Sequence, residues 1–284
     1  MTSALVKARN LAESVRFSGD TLSSSNDNAV FNVTGIKNIF YQTDIRISKE
    51  VTPALYSTIK SVCERLCIPP DTVEAFVYAS AEIQAECFSG CTHECVLRFS
   101  SALVDILDNE EFGFVVGHEL GHFLFGHGAA RISSRQGSLE FFMQQRFQEI
   151  SVDRIGVIAC GSLNVSIRAL MKTLSGLNNH HLRFDVSSFL SQIRSATIFH
   201  NNETASHPSM LVRCRALLWF SLSDVFQNNA LGNSDQPLLL LDERIDKDFH
   251  RYIDGPVREQ ISNAKNDLRM WLAAYKVVQD NVFS

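Results

Sequence analysis

Apolar residues recur at helical spacing through most of the chain. In residues 52–66, Leu55, Ile59, Val62 and Leu66 share one face. Thr52 suits the N-cap and Pro53 the first turn, and Pro69 and Pro70 stop the run. Residues 101–107 predict a short helix. Residues 112–127, FGFVVGHELGHFLFGH, are apolar on nearly every side and predict a buried helix. Asp108, Asn109, Glu110 and Glu111 supply its cap and the negative charge that a helix N-terminus favours. Helical spacing returns over residues 139–160, 163–177 and 189–199, and again after Pro208. Strand signals are shorter. Residues 31–48 mix β-branched and aromatic residues with partial alternation and predict one or two strands. Residues 74–78, 85–88 and 93–99 predict three more, with a turn at Ser89-Gly90. The fold class is therefore α+β and predominantly helical, with a small three- or four-stranded antiparallel sheet beside the helix of residues 112–127. Residues 1–30, polar towards their end, read as a loosely held segment, and residues 221–284 as a helical packing region.

Polar residues inside the apolar helices change this picture. His118, Glu119 and His122 form the pattern H-E-x-x-H. Positions four apart share a helix face, so the two imidazoles can converge on one cation while Glu119 reaches a water bound to it. On these five residues alone, a core helix with hydrogen-bonded histidines fits as well, and a third ligand has to decide. Glu149 and Asp153 repeat the puzzle, being two carboxylates four apart among Ile150, Val152, Ile155, Val157 and Ile158. Glu149 as the third zinc ligand resolves it. Asp153 then suits the ring N–H of a ligating histidine. Further on, Pro208 opens a helix and holds His207 at its mouth.

Composition removes several classes of function. The chain has 284 residues, 45% hydrophobic and 20% charged, with a formal net charge of -5. That balance gives no reason to expect nucleic acid or an anionic membrane as partner. No apolar run approaches the roughly 18 residues that span a bilayer, and the N-terminus shows no secretory signal, so a cytoplasmic location is expected. Seven cysteines, an odd number, point to reduced thiols. Cys87, Cys91 and Cys95 recur every fourth residue beside His93, but that spacing fits no common zinc or iron–sulfur pattern.

Three pieces stand in order: HELGH at 118–122, EISVD at 149–153 and HPSMLVR at 207–213. Together with QAECF at 84–88 they resemble the zinc metallopeptidase family of the CAAX prenyl protease and the HtpX heat-shock protease, within the gluzincins. The resemblance covers roughly residues 75–220, the catalytic core of one metallopeptidase domain with a zincin-like fold. It implies one Zn2+ per chain on His118, His122 and Glu149, with Glu119 as general base. It also implies that His207 stabilises the oxyanion, that Asp153 orients a ligand and that Arg213 braces the site, pairing with Asp153. A polypeptide substrate would add as a strand along the edge formed by Gln84, Ala85 and Cys87. Unlike the best-known members, the chain lacks transmembrane helices, which points to soluble ones. The expected activity is that of a zinc endopeptidase. The alternative is an autoinhibited or non-catalytic metal-stapled regulatory module, closed by a ligand such as Cys87 or Cys91.

Overall fold

The computed structural model describes residues 3–18, 20, 32–89, 94–127, 139–185, 188–189 and 208–230. Helices are α1 (Ser3–Val15), α2 (Val33–Thr43), α3 (Pro53–Arg65), α4 (Ser101–Ile106), α5 (Asn109–Phe125), α6 (Leu139–Cys160), α7 (Leu163–Ser175), α8 (Met210–Phe220) and α9 (Asp224–Ala230). Strands are β1 (Ile45–Arg46), β2 (Val73–Tyr78), β3 (Ala85–Ser89) and β4 (Cys95–Ser100). The protein is α+β and mostly helical. Helix α5 is its centre, buried on all sides and packed most extensively against α6. Among the described residues no helix is long and apolar enough to cross a membrane.

The sheet has the order β1-β2-β4-β3. Its side chains alternate between two layers. Ala75, Cys95, Leu97 and Phe99 join the core around α5, whereas Phe76 and Val96 meet Val33 and Phe40 of α2 on the other face. Two expectations are corrected here. First, β2 and β4 pair in parallel, Val73 opposite Cys95, so the sheet is mixed rather than antiparallel. Strand β4 is the most deeply buried and takes an inner place, while the less buried β3 pairs with it antiparallel and stays at the edge. Second, most of residues 31–48 form α2. Val33, Ile36 and Phe40 lie on one helical face against the sheet, and the Asn32 side chain accepts from the Gly35 N–H as N-cap. Helix α1 buries Leu5, Ala8, Leu11, Ala12 and Val15, and Phe17 follows them into a core of its own with Met143 and Phe147.

Candidate metal centre

Helix α5 begins with a capping box. Asp108 accepts from the Glu111 N–H at 2.9 Å, and Glu111 accepts from the Asp108 N–H at 2.8 Å. Glu111 also accepts from Lys172 at 2.5 Å and from Arg168, which ties this end to α7. At the other end Gly126 adopts φ +69°. The N–H groups of Gly126 and His127 then bond back to Phe123 and His122, closing the helix in a Schellman motif.

Between these ends, glycines let α6 approach closely. A methyl group on Gly117 would sit 2.3 Å from the Cβ of Ala159 and 3.1 Å from the Cα of Gly156. One on Gly121 would sit 3.0 Å from the Cβ of Val152, and one on Gly156 2.8 Å from the Phe114 ring. These contacts leave no room for a Cβ at the crossing. The close approach brings Glu149 of α6 against both histidines of α5. His118 Nε2 lies 3.6 Å from Glu149 Oε2, and His122 Nε2 lies 3.5 Å from Glu149 Oε1. Tetrahedral coordination at metal–ligand distances near 2.1 Å requires ligand atoms about 3.4 Å apart. The three side chains therefore fit a single metal ion, and their ligand atoms all lie within 4.8 Å of one another.

Asp153, one turn along α6, accepts from His118 Nδ1 at 2.9 Å. Arg213 of α8 donates to both Asp153 oxygens, at 2.7 and 2.5 Å, and stands 3.6 Å from Glu149. Burial alone would raise the carboxyls of Glu149 and Asp153. Instead the neighbouring histidines and Arg213 hold Glu149 well below the usual carboxylate range, and Arg213 with His118 hold Asp153 below it. Burial likewise opposes charge on His122, yet Glu149 raises it to about 9. Both carboxylates thus stay ionised at neutral pH.

A cavity of about 310 Å³ opens over this centre. Its lining includes Ile83, Gln84 and Ala85 together with His118, Glu119, Glu149 and Arg213. Residues 84–85 lead into β3, which has a hydrogen-bonded neighbour strand on one side only among the described residues. The Cys87 Sγ lies 3.7 Å from that of Cys95. Both are free thiols, and among the described residues no cysteine joins the metal-binding cluster. His207, Cys91 and His93 lie outside the described residues. Three features escaped the sequence reading. The glycine contacts could have been found from Gly117 and Gly121, four apart and flanking the motif, but Asp20 and His127 behind His122 carry no local signal.

The model of Peptidase family M48 matches residues 50–144, a span that includes β2, β3, β4 and the whole of α5. No curated protein and no solved structure matches the chain.

Proposed function

We propose that the protein, whose residues 50–144 match the model of Peptidase family M48, is a zinc-dependent endopeptidase. The observation that carries this reading is the convergence of His118, His122 and Glu149 beneath an open cavity that Glu119 also borders. Zinc held there would supply Lewis acidity and lower the pKa of its bound water to near ~7. Glu119, general base by motif position, accepts a proton from the attacking water and returns it to the leaving amine. Asp153 and Arg213 hold His118 in one ring orientation. The edge at Gln84, Ala85 and Cys87 receives an extended polypeptide as an added strand. His207, just before the buried Pro208 that leads into α8, stabilises the oxyanion, an interaction worth about 3 kcal/mol. The net charge of -5 and the absence of long apolar helices among the described residues support a cytoplasmic setting. Three protein ligands with no cysteine among the described residues favour catalysis over a closed structural site.

Glu119→Gln tests the mechanism. The variant is expected to bind zinc as the parent does and to lose at least about a hundredfold in casein hydrolysis. A chelator should abolish the parent's activity, and zinc should restore it. Undiminished cleavage by Glu119→Gln would falsify the assignment of the base.

A further inference from the structure

Behind His122, on the side away from Glu149, lies a second imidazole. His127 Nδ1 is 3.2 Å from His122 Nδ1. The Schellman cap produces this approach. Gly126 reverses the backbone, the His127 N–H bonds to the His122 carbonyl at 2.8 Å, and the His127 ring stacks on Phe125. On its far side, His127 Nε2 faces Asp20 Oδ2 at 3.4 Å. Both atoms are buried, and neither meets hydrogen-bond geometry with any partner among the described residues, so the two face each other as a close polar pair. Asp20 is only 3% exposed. Its other oxygen accepts from Gln144 at 3.1 Å, and Arg16 approaches at 3.7 Å while lying over the Phe125 ring.

We propose that Asp20 and His127 are positioning residues for the metal, acting as a two-step relay that fixes the tautomer and orientation of His122. The inference rests on the metal reading above and extends it to an N-terminal residue outside the family match. Proton placement follows from the geometry. His122 Nε2 faces Glu149 and must be free of its proton to bind a cation, so the ring proton sits on Nδ1. That proton can only be donated to His127 Nδ1, which leaves the His127 proton on Nε2, aimed at the Asp20 carboxylate. At Asp20 burial opposes ionisation, but His127, Ser151 and Arg16 together outweigh it and hold the carboxyl below its usual value. A neutral imidazole between an anion and a ligating histidine passes the anion's polarisation to the metal-binding nitrogen.

The test compares Asp20→Asn, His127→Phe and the double variant, each checked for parental far-ultraviolet circular dichroism. Phenylalanine keeps the stack on Phe125 and removes both ring nitrogens. Zinc affinity, measured by chelator competition, should fall by about tenfold to a hundredfold in either single variant. Because Asp20 acts only through His127, Asp20→Asn should cost nothing further in the His127→Phe background. In the metal-free protein, nitrogen NMR should show His127 neutral and protonated on Nε2 at pH 7. Affinities within twofold of the parent, an undiminished Asp20→Asn effect in the His127→Phe background, or a proton on His127 Nδ1 each overturn the relay and leave the metal site standing. A parent protein that holds no zinc removes both readings.

Discussion

His118 and His122 stand one turn apart on α5 and face the same carboxylate, yet different chemistry supports each from behind. His118 gives its Nδ1 proton directly to Asp153, and the pair is locked by Arg213 in a buried ion pair. His122 reaches its carboxylate through His127, across an N-terminal segment and a helix cap. The difference is one of position in the fold. Asp153 sits on α6, four residues after Glu149, so one helix places both carboxylates against the histidines. Among the described residues none of α6 is hydrogen-bonded to His122 Nδ1, and the chain turning out of α5 fills that place. Hence the support of His118 is strong and intolerant of change, and that of His122 is weaker and divided among more residues.

Asp153→Asn should produce the largest effect of any brace variant. It leaves the buried Arg213 guanidinium with Glu149, 3.6 Å away, as its remaining anionic neighbour, and breaking a buried pair costs about 3–5 kcal/mol. Denaturant unfolding of the metal-free protein reads that loss directly. Zinc affinity should fall further than in Asp20→Asn. If the two variants weaken zinc equally at unchanged stability, the two supports are equivalent and the contrast fails.

Gly117→Ala acts on both sides at once, because the α5–α6 crossing sets the distance from Glu149 to either histidine. The added methyl would meet Ala159 at 2.3 Å, so the helices must separate. Overpacking of this kind costs about 1–3 kcal/mol, against which the gain in helix propensity is about 1 kcal/mol. The net loss of stability should be smaller than for Asp153→Asn. Zinc affinity should still drop, and adding Asp153→Asn should not restore it. Parental zinc affinity in Gly117→Ala would mean that the crossing does not set the ligand spacing.

The same contrast separates what the sequence discloses from what it hides. HELGH and EISVD are legible because the proposed metal restricts residue types and the four-residue spacing places them on one face. Their apolar surroundings mark both helices as buried. The partners of His122 are not legible. Asp20 lies more than a hundred residues from His127 in the chain, in a polar stretch with no periodicity, and only the turn at Gly126 brings the two together. Residues 33–43 misled for another reason. Their β-branched and aromatic content suggests a strand, but Val33, Ile36 and Phe40 follow helical spacing, and burial against the sheet decides. Strand positions 74–78, 85–88 and 93–99 were readable from alternation and turns. Their order was not, because the parallel pairing of β2 with β4 depends on which strand has enough apolar surface to be buried on both faces.

The smallest expected effect sharpens the contrast from the His122 side, through protons. In the metal-free protein Glu149 raises His122 to about 9, against about 6.5 for an unfolded histidine. A raised folded value means that this pairing contributes its full stability below about pH 6.5 and loses it as pH rises through about 9. Metal-free protein should therefore lose stability over that interval in denaturant titrations. Zinc-loaded protein should not show this loss, since the ring nitrogen that carried the proton now holds the ion. By the same linkage, zinc uptake at pH 7 should release about one proton from His122, and fewer as pH approaches 9. Titration calorimetry in buffers of different ionisation enthalpy measures this number. Zinc binding at pH 7 without proton release would show that His122 is already neutral, and that Glu149 does not dominate its charge.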